Sequence, residues 1–264
     1  MLKIDRYAYT NRLARVHPAE KVLLAGATML ICIAFSSPAT SLLVLLLMTG
    51  VTVLLAKIPG RFFLRLMFIP ASFLVVGTLT IALTITKDTP FLLYGVKIGG
   101  YMLGVTARGL GAAAGLFLKS LGAVACLYFL SLTTPVVEIF SVLKKLRLPP
   151  LFLELMSLVY RFIFVLLETA DKMYTAQAAR WGYATLKTSY FSLGQLVSNL
   201  FHKSYYCSRM LFTTLLARCY TGELKVLEKS YVLSGKNLFL IAAAELALLV
   251  VSLWSRGFLG VATR

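Results

Sequence analysis

The stretch Thr40-Ser41-Leu42-Leu43-Val44-Leu45-Leu46-Leu47-Met48-Thr49-Gly50-Val51-Thr52-Val53-Leu54-Leu55-Ala56 carries no charge and is stopped by Lys57-Ile58-Pro59-Gly60-Arg61. About 20 apolar residues in helical form cross the roughly 30 Å of a bilayer's hydrocarbon, so this run reads as a membrane span. The whole chain agrees with it. Of 264 residues, 59% are hydrophobic and 14% charged, and the mean hydropathy is +0.84. A soluble domain is nearer half apolar and a quarter charged. The composition therefore points to a polytopic membrane protein.

Upstream, residues 20–36 form another apolar run, from Glu20-Lys21-Val22 to Phe35, closed by Ser36-Ser37-Pro38 because proline cannot continue the helix. Downstream, a third runs over 66–86 and ends at Lys87-Asp88-Thr89-Pro90. Residues 91–134 stay apolar but hold Lys97, Arg108 and Lys119. As one helix they would be about 65 Å long at about 1.5 Å per residue, too long for one crossing. Gly100 and Gly104, and again Gly111 and Gly115, have the GxxxG spacing that lets helix backbones approach in lipid. The expectation is a packed or interfacial piece at 91–112, whether spanning or lying flat, followed by a fourth span at 113–133. A fifth covers 237–254, with Trp254 and Arg256 as interface anchors.

Between the fourth and fifth spans the character changes. Residues 135–236 carry 13 Lys or Arg and 6 Asp or Glu among interrupted apolar runs. Thr133-Thr134-Pro135 opens a short helix that ends at Lys144-Lys145-Leu146-Arg147, and Pro149-Pro150 breaks the chain. A long helix follows over 151–180, with Glu154, Arg161, Glu168 and Thr175 on one face and Glu168–Lys172 as a favourable i,i+4 pair. A second long helix runs from 192 to 218. The fold class is thus all-α, with five transmembrane helices and a cytoplasmic helical region. Residues 1–134 form the first membrane region, 135–236 the cytoplasmic and interfacial helices, and 237–264 the last span and tail.

The net charge is +17. Nucleic acid is an unsuitable partner, because the basic residues are spread through membrane-flanking loops without a binding motif. They follow the rule that cytoplasmic loops are rich in Lys and Arg. Five basic side chains in the first 21 residues place the N-terminus in the cytoplasm of a multi-pass cell-membrane protein. The turn at 36–40 has none and lies outside, loop 57–65 has three and lies inside, and segment 135–236 is cytoplasmic. The C-terminus then ends outside. Nothing in the polar opening Met1-Leu2-Lys3-Ile4-Asp5-Arg6 resembles a cleavable signal peptide.

Catalytic signatures are missing. Gly235-Lys236 lacks the upstream glycine and the following Ser or Thr of a phosphate-binding loop. Gly109-Leu110-Gly111 lies in an apolar helix with no strand before it, which favours helix packing over a dinucleotide fingerprint. No HExxH or GxSxG motif occurs. Cys32, Cys126, Cys207 and Cys219 form no CxxC pair, and Cys32 and Cys126 sit in apolar runs as small core residues. His17 and His202 belong to no ligand pattern and read as interfacial polar residues, so this chain is expected to hold neither metal nor cofactor.

What does recur is a basic signature. Ala178-Ala179-Arg180-Trp181-Gly182-Tyr183 and Leu216-Ala217-Arg218-Cys219-Tyr220-Thr221-Gly222 each sit near the end of a long amphipathic stretch. One such Arg offsets the negative end of a helix dipole by about 0.3–1 kcal/mol. Two in one cytoplasmic segment, behind small alanines that would let a helix end enter a narrow groove, suit pairing with a carboxylate on another chain. Arg makes two parallel hydrogen bonds there, and Lys does not.

At this point the chain resembles a known family, the transmembrane T component of energy-coupling factor (ECF) transporters of the cobalt/nickel, CbiQ type. The resemblance rests on Ile4-Asp5-Arg6-Tyr7-Ala8-Tyr9, His17-Pro18-Ala19-Glu20-Lys21, Leu132-Thr133-Thr134-Pro135, Leu148-Pro149-Pro150, Tyr160-Arg161-Phe162-Ile163-Phe164, Ala176-Gln177-Ala178-Ala179-Arg180 and Arg209-Met210 through Ala217-Arg218-Cys219-Tyr220-Thr221-Gly222-Glu223. It implies that Ala179, Arg180, Trp181, Ala217, Arg218 and Cys219 dock on two cytoplasmic ABC ATPases. Those ATPases would bind ATP and Mg. The transported cobalt or nickel would be held by a separate membrane substrate-binding (S) subunit, with a small accessory membrane subunit as a further partner beside the lipids. Trp181 and Cys219 stand where the family has Gly. Termination by a left-handed glycine is therefore not expected at either place, although Gly182 and Gly222 lie close by. The competing reading is a secondary transporter that works without an ATPase. It would depend on Glu245, the acid inside the last span.

Overall fold

The computed structural model describes residues 3–35, 37–86, 92–98, 101–146, 148–220, 231 and 233–262. The chain divides into two compact units, one made of residues 2–139 with 230–264 and the other of 140–229.

The first unit holds α1 (Lys3–Thr10), α2 (Pro18–Ala34), α3 (Pro38–Gly50), α4 (Gly60–Ala82), β1 (Leu83–Thr86), β2 (Leu92–Ile98), β3 (Tyr101–Thr106) and α5 (Ala107–Thr133). It also holds the start of α6 (Val136–Lys145) and α9 (Gly235–Ala262). Pro18 and Pro38 occupy first-turn positions of α2 and α3, where a missing N–H costs nothing. A π-turn at Val51–Leu55 continues α3, and Pro70 sits inside α4.

α5 is the axis of this unit. Its Leu121, Ala125, Cys126, Phe129 and Leu132 are buried against Ala25 and Cys32 of α2, Val44 and Met48 of α3, Phe63 and Met67 of α4, and Leu248 of α9. A Cβ on Gly122 would meet Cys32 Sγ at 3.1 Å and the Ser41 carbonyl oxygen at 3.3 Å. The close approach of helices falls at this glycine. Gly111 and Gly115, which carry the sequence spacing for it, have open space around them. Large side chains such as Leu46, Phe68 and Phe73 face outward, as suits a protein whose solvent is lipid and whose helices associate through packing.

Within the expected packed or interfacial piece at 91–112, Leu92–Ile98 and Tyr101–Thr106 are strands. β2 and β3 pair antiparallel with Ile98 opposite Tyr101, and β1 joins the other side of β3, so the sheet order is β1-β3-β2. Gly99-Gly100, between two runs rich in Tyr, Val, Ile and Leu, is a two-residue hairpin signal. Gly104 lies in a strand, so the first GxxxG is not helical. The helical membrane scaffold thus carries a small sheet between α4 and α5.

Span boundaries shift as well. α4 begins at Gly60, which places Arg61 and Arg65 in its first turns, and α5 begins six residues before the expected 113. Among the described residues five helical stretches are long and apolar enough to cross a bilayer: Pro38–Leu55, Gly60–Ala82, Gly109–Thr133, Pro150–Ala179 and Gly235–Trp254. α2, at 17 residues, is shorter than these. The loop Lys87-Asp88-Thr89-Pro90, Arg147 and residues 221–230, with Thr221, Gly222 and Glu223, lie outside the described residues, as do the side chains of Lys97, Arg108 and Arg256.

The second unit is built on α7 (Pro150–Ala179) and α8 (Leu186–Ala217), preceded by the end of α6. α7 is the 30-residue helix expected from the sequence, and its Lys172 donates to Glu168 at 2.7 Å. α8 starts at Leu186, six residues before the expected 192. Thr185 and Thr188 form a capping box there.

Candidate functional site: two matched helix ends

Both basic signatures are helix C-termini, and they close in the same way. In the first, Arg180 is the cap residue. The Trp181 N–H donates to the Ala178 carbonyl at 3.1 Å and the Gly182 N–H to the Gln177 carbonyl at 2.9 Å. In the second, Arg218 is the cap, with Cys219 N–H to Leu216 at 3.0 Å and Tyr220 N–H to Leu215 at 3.1 Å. This 6→1 and 5→2 pair is the Schellman motif, which satisfies carbonyls left without partners by the helix end.

The motif needs a left-handed residue just past the cap. Trp181 has φ 60° and Cys219 has φ 56°. No glycine is available there, and Trp181 and Cys219 themselves take the left-handed conformation. Side chains larger than glycine occupy that conformation at both ends, at a cost of roughly 1–2 kcal/mol each. The backbone bonds, together with local side-chain contacts, offset it.

Those contacts differ between the ends. At the first, the Tyr183 hydroxyl donates to Gln177 Oε1 at 2.8 Å, Gln177 Nε2 donates to the Ser192 carbonyl at 3.0 Å, and the Ser192 hydroxyl donates to the Gly182 carbonyl at 2.8 Å. Tyr174 and Tyr183 pack ring to ring at 4.7 Å. A Cβ on Gly182 would sit 2.7 Å from Ser192 Oγ and 2.8 Å from the Gln177 carbonyl oxygen, so this position is closed to any side chain. At the second end, the Tyr220 hydroxyl donates to Glu154 Oε1 at 2.5 Å. That bond ties the close of α8 to the first turns of α7.

Ala179, Arg180, Trp181, Ala217, Arg218 and Cys219 are all exposed, Trp181 to 80%. The two arginines are not brought together. One precedes α8 and the other follows it, and α8 has 32 residues, about 48 Å at about 1.5 Å per residue. The arrangement can present two separate cationic tips, each a short-side-chain helix end with a guanidinium at its rim.

Other residues singled out in the sequence take structural places. Cys32 and Cys126 are core residues, 0% and 1% exposed. His17 is buried, and its Nδ1 accepts from the Ala19 N–H at 3.0 Å to cap α2. His202 is exposed. Glu245 accepts from the Thr28 hydroxyl at 2.7 Å, a contact between α9 and α2. Among the described residues no three His, Cys, Asp or Glu gather as a metal site.

One feature escaped the sequence reading. Glu20 and Lys21, 2% and 3% exposed, are buried ionisable side chains in the first turn of α2. Their position in the His17-Pro18-Ala19-Glu20-Lys21 motif was visible, but a charged pair at the mouth of an apolar run reads equally well as a solvated helix start.

A family model described as CbiQ, cobalt transport protein, matches residues 10–228. The cobalt transport protein CbiQ of Salmonella typhimurium is 34% identical over 223 residues, 84% of this chain and 99% of that one. An uncharacterised protein of Methanocaldococcus jannaschii is 30% identical over 255 residues, 97% of this chain and 94% of that one. A putative fused cobalt transport protein CbiMQ of Methanocorpusculum labreanum is 32% identical over 249 residues, 93% of this chain and 41% of that longer one.

Proposed function

The chain belongs to the CbiQ cobalt transport protein family, and from that premise we propose that it is the transmembrane coupling (T) subunit of an ECF-type importer for cobalt or nickel. In this reading it binds neither ATP nor metal. Two ABC ATPases on the cytoplasmic side hold ATP and Mg, a separate membrane subunit holds the metal ion, and this chain passes the motion of the first to the second. The putative fused CbiMQ relative has a similar region joined to further sequence, which supports a membrane partner at close quarters. The N-terminus is cytoplasmic and the C-terminus outside.

The observation that carries the reading is the pair of exposed helix ends with the same backbone closure, Ala179-Arg180-Trp181 and Ala217-Arg218-Cys219, set at opposite ends of α8. Points about 48 Å apart do not grip one carboxylate. They suit two equivalent grooves, one on each of two ATPase protomers. Each Arg, pairing with a carboxylate through charge-assisted bonds, contributes about 1.5–3 kcal/mol. The deciding experiment replaces Arg180 and Arg218 with Ala and measures ATPase co-purification and cobalt uptake. Loss of both is the expected result, whereas full assembly and uptake in the double variant would refute docking. The alternative, transport without an ATPase, would need Glu245 as a working acid. Its bond to Thr28 makes it a packing contact between helices.

A further inference from the structure

The chain leaves the membrane unit after Ile139, within α6, and returns to it at Ser230. Both crossing points fall within a residue of a polar cluster whose inner members are buried and whose outer members are part-buried. Glu138, the residue before the exit, accepts a hydrogen bond at Oε1 from the hydroxyl of Tyr231, the residue after the return. Two adjacent residues of α2 hold the same two segments from behind. Lys21 Nζ lies 3.9 Å from Glu138 Oε2 and donates to the Thr133 carbonyl at 2.9 Å. Glu20 accepts at Oε1 from the Ser234 N–H at 2.9 Å and at Oε2 from Asn237 Nδ2 at 3.0 Å. The outgoing segment is thus fastened to Lys21 and the incoming one to Glu20, and the Tyr231–Glu138 bond ties the two directly. The Tyr231 ring also meets the His17 ring edge-on at 6.2 Å.

We propose that Glu138 and Tyr231, braced by Lys21 and Glu20, are positioning residues for energy coupling: a clasp that fixes where both strands of chain enter the membrane unit. The proposal rests on the T-subunit reading, since a clasp of this kind matters for transport only if motion arrives through those strands. The physical argument is one of geometry rather than stability. A buried ion pair gains little over an apolar replacement, because desolvation offsets the Coulomb attraction. What four directional, charge-assisted bonds supply is a fixed relative position. Without it, displacement of the outgoing and incoming segments would be absorbed locally instead of moving the spans. Burial and the Glu138 carboxylate push the Tyr231 phenol well above its ordinary range, so it remains a hydrogen-bond donor throughout the neutral range.

The test uses the full complex in proteoliposomes, with ATP hydrolysis and cobalt uptake measured in parallel, and the Tyr231→Phe variant, which removes one hydroxyl and leaves the ring. ATPase co-purification and hydrolysis should stay within about twofold of the parent. Uptake per ATP should fall roughly tenfold, the effect of losing one hydrogen bond to a charged group. Glu138→Gln, which still accepts from the hydroxyl but loses the ion pair, should fall between. A second readout needs no partner: hydrogen exchange of the purified chain should show the Ser234 and Leu238 amides exchanging roughly tenfold faster in Tyr231→Phe. Unchanged uptake per ATP in both variants, or unchanged exchange at those amides, overturns the clasp. Loss of ATPase co-purification in Tyr231→Phe overturns it too, by making these residues supports of assembly. If the parent chain itself fails to bring down ATPases, the T-subunit reading falls instead, and the exchange measurement still decides whether the clasp exists.

Discussion

The two arginine-bearing helix ends share a backbone and differ in everything that supports it. At the close of α7, Gln177, Tyr183 and Ser192 knit the turn into the start of α8, and the residue after the left-handed position has to be Gly182 because a Cβ finds two oxygens in its way. At the close of α8 the equivalent residue is Tyr220, a large side chain that reaches Glu154 on another helix. One end is fastened to the next helix along the chain, and the other to a residue 66 positions earlier. The same exposed tip has been reached by two local solutions.

The strongest way to break this comparison is to remove the tips. Arg180→Ala with Arg218→Ala should abolish ATPase co-purification. The two single variants should each weaken it about tenfold or more, from about 1.5–3 kcal/mol per Arg, and equally if the ends are equivalent. A marked inequality would mean that one end dominates. Next in size is Gly182→Ala. The new methyl meets a backbone oxygen that cannot swing away, so a loss of about 1–3 kcal/mol is expected, seen as a lower thermal midpoint in detergent. A neutral result would show that the α7 turn has room the geometry denies it.

Tyr220→Phe probes the other support. It should cost about 1.5 kcal/mol and raise hydrogen exchange at the last turn of α8, leaving the α7 end untouched. Equal changes at both ends would show that they are one cooperative element. The smallest effects come from the left-handed positions. Trp181→Gly and Cys219→Gly should each stabilise by about 0.5–1 kcal/mol, the strain relieved less the added freedom of glycine when unfolded. Trp181 is 80% exposed, so little packing is lost. Destabilisation by either change would show a contact for that side chain that the fold does not.

Much of the scaffold was legible because lipid imposes a simple rule: an apolar run of sufficient length becomes a helix. The runs at 40–56, 113–133 and 237–254 follow it, and the helix at 151–180 was legible from the charged face carried by Glu154, Arg161 and Glu168. The sheet escaped because Leu92–Ile98 and Tyr101–Thr106 are equally apolar, and hydropathy alone does not separate a strand from a helix. Gly99-Gly100 held the deciding signal. The helix ends at 180 and 218 were placed by the small-then-basic pattern, but their left-handed conformation was not. Glycine is the usual sign of it, and here backbone hydrogen bonds impose it on Trp and Cys. The start of α8 was missed because Thr185 and Thr188 form a capping box without the acidic residue that usually marks one. The buried Glu20–Lys21 pair was invisible because its partners, Thr133, Glu138, Ser234 and Asn237, lie more than a hundred residues away.

The apolarity of α7 has a consequence for how the protein is made. As the chain emerges from the ribosome, the insertion machinery meets a 30-residue segment oily enough to be released sideways into lipid. Lys144, Lys145 and Arg147 precede it, and Arg180 and Lys187 come after. Threading it in either direction would carry one of those basic flanks to the far side, which biosynthetic insertion disfavours. On the proposed orientation the five flanking cations would hold the segment at the inner leaflet, a bias already present during translation, before any partner is met.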